Sequence, residues 1–429
     1  MALHLKNEVT RMIRCYASRW IVSTLVTVSC LARPGKNPFP QIGEIRLNDW
    51  LVAKGQAPIK NISVFALSFS PDGSRLAIQF GDDIDRDVVR LGQAKREYLL
   101  VLSTADGNPT INWTELPQRP SSAPNRAEPA WSPDGKSVVL VDTGTGTLIH
   151  FVGGDMCKLP GRFGGFLSAD RVLVIASERG PTRPTTIAVA DAHCRLQQRW
   201  PADRLLMAAS VSPESSMLAL LAPVFQHSDT AGVLNIVKLE LLLLPVPAEK
   251  AAGLNLAGAR SIRTGGLELS GMRRMVFTGD AVCGPFEVSG IPIPTLDGGT
   301  INGRKAKVKC WDMQSGKPAH ETQPIWSTGD LVLSAGAGRI AVSDSGVGFP
   351  AGRTKGAAKP VPQMRGVWDV QSGKMLGLWS PDPDMHASLT IQPIARRGIA
   401  ISADGKVLAE SSDDSVLLYR LREGLSENQ

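Results

Sequence analysis

FSPDGSRLAI, starting at Phe69, is written again as WSPDGKSVVL at Trp131 and, with drift, as ISADGKVLAE at Ile401. The wording is turn chemistry. Proline presets φ at the first corner of a tight turn, aspartate hydrogen-bonds its own backbone, and glycine accepts a positive φ. Aligned on the serine, the chain divides into seven units, anchored at Ser70, Ser132, Ser168, Ser212, Ser270, Ser334 and Ser402. Each anchor lies between short apolar runs, the second being RLAIQF from Arg75, SVVLV from Ser137, RVLVIA from Arg171 or MLALLA from Met217, then MVFTG from Met275, RIAVS from Arg339 and VLAES from Val407. Runs this short and this rich in Val, Ile and Leu are strands, and a pair around a tight turn is a β-hairpin. Their nearly continuous apolar character requires burial on both faces, as in sheets stacked against other sheets.

A third run follows in each unit, from EYLLVLS at Glu97 to SVLLYRL at Ser415. Units of three or four strands, spaced 36 to 68 residues apart, are the signature of radial repetition. The expected fold is all-β: a seven-bladed β-propeller of four-stranded antiparallel blades over residues 42–421. The last unit has no fourth strand of its own, and Ile42 to Asp49 is the segment expected to complete it and close the ring.

KCWDMQSGK, from Lys309, and GVWDVQSGK, from Gly366, resemble the strand end and turn of WD-repeat propellers. The SPDG hairpins resemble those of bacterial propellers of the TolB type. The resemblance covers residues 41–421 and implies the fold, whereas propellers host many unrelated activities. One departure matters. The Gly-His pair of WD repeats is absent from all seven units, so Asp312 and Asp369 are expected to cap their own turns and nothing more.

The rest of the chain is ordinary for a globular protein, with 43% hydrophobic and 20% charged residues. A net charge of +7 with no run of Lys or Arg excludes a nucleic-acid patch. The first 32 residues differ. Arg11, Arg14 and Arg19 precede the apolar run Trp20 to Ala32, the layout of a signal peptide or an N-terminal anchor. The run is too short for a membrane span, which needs about 20 apolar residues. Residues 33–41 are expected to form a Pro-rich linker and 422–429 a disordered tail, and the domain to be exported, periplasmic or secreted. Cys157, Cys194, Cys283 and Cys310 then stand in an oxidising compartment. Cys283 and Cys310 both belong to the fifth unit and are expected to bond.

No catalytic motif is present: no G-x-S-x-G, H-E-x-x-H, Walker loop or paired C-x-x-C. No cofactor is called for. The nearest thing to a metal site is GDDIDRD, where Asp82, Asp83, Asp85 and Asp87 give a weak resemblance to the start of a calcium loop. It lacks the glycine that lets such a loop turn, and a solvated hairpin tip is the favoured reading. Long connections between second and third strands, notably Gly279 to Lys305 and Asp344 to Met364, must all emerge on one face. Arg304, Lys305, Lys307 and Lys309 in or after one, and Arg353, Lys355 and Lys359 in the other, with Arg365 beside it, make that face basic. Two functions follow. The first is a non-catalytic scaffold for protein interaction or sensing, docking an acidic protein partner on that face by salt-sensitive steering. The second is a propeller enzyme, a hydrolase or dehydrogenase, with its active site at the central channel. A polar cluster at the channel mouth would favour the enzyme; small apolar residues there would favour the scaffold.

Overall fold

In a computed structural model of the chain, the described residues are 37–59, 62–82, 97–104, 112–115, 129–142, 146–151, 155–177, 185–191, 193–214, 216–227, 234–248, 254–264, 267–268, 275–288, 292–294, 300–302, 304–322, 325–327, 331–344, 365–379, 398–412 and 414–421. Among them the chain is an all-β propeller built of antiparallel sheets. Six sheets are four-stranded. From first strand outward, the first unit pairs Ile62–Phe69, Arg75–Asp82, Glu97–Ser103 and Asn112–Glu115. The second, third, fourth and sixth repeat that order, and the last is Ile399–Ile401, Val407–Ser412, Ser415–Arg420 and then Gln41–Arg46.

The longest strands show why the apolar runs are unbroken. Met217–His227 pairs with Leu234–Pro245 along its length, and side chains alternate across a strand. Leu239, Leu241 and Leu243 therefore enter the core shared with the fifth unit, beside Val282, Phe286 and Trp311. Leu242 and Leu244 enter the core shared with the third unit, beside Leu173, Ile187 and Trp200. Each fully buried leucine stabilises the fold by about 1.5–3 kcal/mol, so both faces of one strand hold its neighbours. The pattern continues around the ring until Ala400, Ala409 and Val416 of the last sheet meet Leu76, Ile78 and Phe80 of the first.

The expectation of seven four-stranded blades is not met: six such blades are present among the described residues, and the sheet at the fifth unit has six strands instead. Ser270 lies outside the described residues. MVFTG supplies the first strand there, Val276–Thr278, and turns at Gly279 and Asp280 into Ala281–Val288. Gly279 has φ 53°, which a two-residue turn needs. A segment read as a loop from Gly279 is thus partly the second strand, followed by a small separate hairpin, Pro292–Pro294 with Thr300–Asn302. In the sixth unit the turn is Ala337–Gly338, both at positive φ. Ser334 sits within the strand Leu331–Gly336 instead of at a turn.

The N-terminal segment also departs from its expected bounds. Gln41–Arg46 runs antiparallel to Ser415–Arg420, Ile45 standing opposite Val416. The strand then stops three residues early. Leu47–Ala53 is a helix that buries Leu47, Trp50 and Leu51, because apolar positions spaced three and four apart share one helix face. Asn48 fixes its approach by accepting from the Ile59 N–H at 2.9 Å and donating to the Ile59 carbonyl at 3.0 Å. Residues 37–41, expected as linker, lie against the propeller: Asn37 donates to Glu410 at 2.7 Å, and Phe39 meets the Trp379 ring edge-on at 5.9 Å.

Candidate functional site

The short-turn face is built by one serine used repeatedly. Ser70 Oγ donates to Asp72 and accepts from the Arg75 N–H at 2.9 Å, while the Gly73 N–H reaches the Ser70 carbonyl at 2.8 Å. Ser132 with Asp134 and Ser402 with Asp404 repeat this geometry. The hydroxyls of Ser70 and Ser74 and the Ser74 N–H, opposed by slight burial, hold the Asp72 carboxyl down at about 2. Partial burial works against ionisation of Asp134 and Asp404, but their serine hydroxyls and backbone N–H groups outweigh it and keep both below the ordinary range. At the outer turns Asp312 and Asp369 each accept from the N–H and hydroxyl of a serine three residues on, the capping role expected of them.

The inner turns, and not the outer ones, border a cavity of about 450 Å³ at the centre of the ring. Its lining draws on every unit, with Pro71, Trp131, Phe166, Pro213, Thr278 and Ala403 from six of them and the end of Leu331–Gly336 from the other. Trp131 is fixed there by donation to the Ser68 carbonyl at 3.0 Å and by Arg75, whose guanidinium lies 5.2 Å from the ring centre. Among the described lining residues none carries an ionisable side chain. Proton transfer and nucleophilic attack need such groups within reach; shape-based binding does not.

The residues expected on the opposite face are only partly brought together. Arg304, Lys305, Lys307 and Lys309 all lie on the strand Arg304–Asp312, beyond the loop to which two of them were assigned. Lys307 pairs with Glu321, and Lys309 donates to the Thr264 carbonyl at 3.0 Å. Arg353, Lys355 and Lys359 lie outside the described residues, as do Asp83, Asp85 and Asp87, while Asp82 ends the strand Arg75–Asp82. No group of three His, Cys, Asp or Glu able to hold a metal occurs among the described residues. Arg365 is buried, not displayed. It pairs with Glu410 and donates to the Ser411 carbonyl at 2.9 Å, and Trp379 donates to Glu410 at 2.9 Å. Nothing in the sequence marked Arg365 as interior, because its partner lies 45 residues away.

Two disulfides occur among the described residues. Cys283 and Cys310 stand directly opposite each other on the second and third strands of the fifth unit. Cys157 bonds Cys194, joining the outer strand of the second unit to the turn before the outer strand of the third. The cysteine count allowed that second pair without naming it.

No family model and no curated protein sequence matches the chain. Among solved structures, a chain in the crystal structure of the mitotic checkpoint complex superposes at a TM-score of 0.46 with 9% identity, over 94% of this chain and 100% of that one. No helix among the described residues is long and apolar enough to cross a membrane.

Proposed function

We propose that the chain is an exported, non-catalytic β-propeller that serves as a protein-interaction or sensing scaffold. The observation that carries this reading is the uncharged lining of the axial cavity, the position where a propeller enzyme would gather its acids and bases. Two disulfides among the described residues support an oxidising compartment, in keeping with the basic-then-apolar start of the chain. The docking face is the one opposite the cavity, where the long connections between second and third strands emerge. There Arg304, Lys305, Arg353 and Lys355 steer an acidic partner. Lys307 and Lys309 take a smaller part, since both are engaged within their own sheet.

The test is to replace Arg304, Lys305, Arg353 and Lys355 together by Ser. Retention on an immobilised polyglutamate peptide should be lost at low salt, and thermal stability should not change. A variant retained as well as the parent would place the docking face elsewhere.

A further inference from the structure

We propose that the axial cavity binds an uncharged, largely apolar small molecule carrying one hydrogen-bonding group, entered from the face of short turns. The volume of about 450 Å³ falls in the range of small-molecule sites, roughly 300–1,000 Å³, which are lined mainly by apolar and aromatic residues with a few placed polar groups. Phe69, Trp131, Phe166 and Phe277 supply aromatic surface to the lining.

The polar inventory is selective. The Ser70 and Ser212 hydroxyls are taken up inside their own turns. That of Ser210 donates to the Met275 carbonyl and accepts from the Met275 N–H, and that of Ser334 accepts from the Ile401 N–H. Ser68 also lines the cavity but is only half-buried, within reach of water, so Thr278 is the exception among the buried hydroxyls. It lines the cavity, is 5% exposed, and its Oγ1 has no partner among the described residues. Buried hydroxyls are ordinarily paired, and one left unpaired calls for an explanation. A ligand hydroxyl or carbonyl at Thr278 supplies one.

The charge around the mouth narrows the ligand further. Asp72, Asp134, Glu214, Asp280 and Asp404 each directly follow a lining residue in sequence. Of the nearby cations, Arg75 is held over Trp131 and Arg339 donates to the Gly405 carbonyl. Neither is among the lining residues. An anion entering would lose its hydration and meet no counter-charge in the lining. This site lies on the face opposite the proposed docking loops, so either reading can fail without the other.

The experiment is a fluorescence titration of the full chain with 2-naphthol and, in parallel, with 2-naphthoate, the same ring bearing a carboxylate. The naphthol should bind at one site, and the naphthoate about tenfold more weakly or worse, as the cost of desolvating its charge requires. Ala403→Trp, at an exposed turn position on the mouth, should block the naphthol without altering thermal stability. Thr278→Val keeps the shape and removes the hydroxyl, and should weaken naphthol binding several-fold. Absence of naphthol binding, equal affinity for the two probes, or undiminished binding to Ala403→Trp would each overturn the proposal.

Discussion

A single serine hydroxyl carries two duties in the SPDG turns, and its loss separates them. Ser70 Oγ receives the Arg75 N–H, which closes the turn, and donates to Asp72, which holds the tip. Its bond to the carboxylate is the largest reason that Asp72 titrates near 2 and not near 3.8. A carboxyl with a depressed folded-state pKa adds stability above its unfolded value, and that contribution is lost as pH falls through the folded value. For Asp72 the window runs from about pH 4 down to about 2. Because the side chain is exposed, solvent screens much of the energy, so the titration itself is the better readout. Ser70→Ala should move the Asp72 midpoint up toward the ordinary carboxylate value, followed by carboxyl-carbon NMR. An unmoved midpoint would mean that the Ser74 hydroxyl and the turn backbone hold the charge without Ser70.

Single elements show which parts of the fold could be read in advance. The hairpins at Ser70 and Ser132 are legible because turn residues and strand propensity agree locally. The fifth sheet is not. Its hairpin turns on Thr-Gly-Asp-Ala, with no proline to announce it, so MVFTG reads as a second strand although it is a first. The helix Leu47–Ala53 escaped because seven residues barely establish a helical period, and its burial depends on Phe80 and other residues of the first unit. The cavity enters a reading of the sequence only as a question, since its lining comes from strand ends far apart in sequence, and Thr278, whose hydroxyl has no partner among the described residues, has no signature at all. The bond between Cys157 and Cys194 is of the same kind. It joins two sheets across 37 residues of sequence, while Asp191 holds the Cys194 turn independently by accepting from the His193 and Arg195 N–H groups. Replacing both cysteines by Ser should therefore leave the fold intact and lower unfolding stability by about 2–4 kcal/mol, as expected for a closed loop of this size. Urea denaturation of the oxidised protein measures it; an unchanged midpoint would show that the two sheets hold each other without the link.

At the scale of the whole ring, one contact pairs an early strand, Gln41–Arg46, with a late one, Ser415–Arg420. Ser415–Arg420 would be an exposed edge without Gln41–Arg46 beside it, and an unpaired edge is a liability for stability and for solubility. The contact extends past the strand: Phe39 packs on Trp379 of the sixth unit, Asn37 reaches Glu410 in the last, and Arg420 donates its N–H to the Pro40 carbonyl at 2.9 Å. A ten-residue segment thus touches two adjacent sheets, and we infer that it latches the ring. Deleting residues 37–46 should lower the melting temperature by at least about 5 °C, which is about 1–3 kcal/mol at the few degrees per kcal/mol typical of larger domains, and should promote association through the bared edge. Phe39→Ala should give a smaller loss of the same sign, because only the ring contact goes. A synthetic peptide of residues 37–46 added to the deletion variant should recover much of the stability, since anything that binds the folded state alone stabilises it by mass action. A deletion variant that melts with the parent would mean that the core between the first and last sheets holds the ring shut unaided.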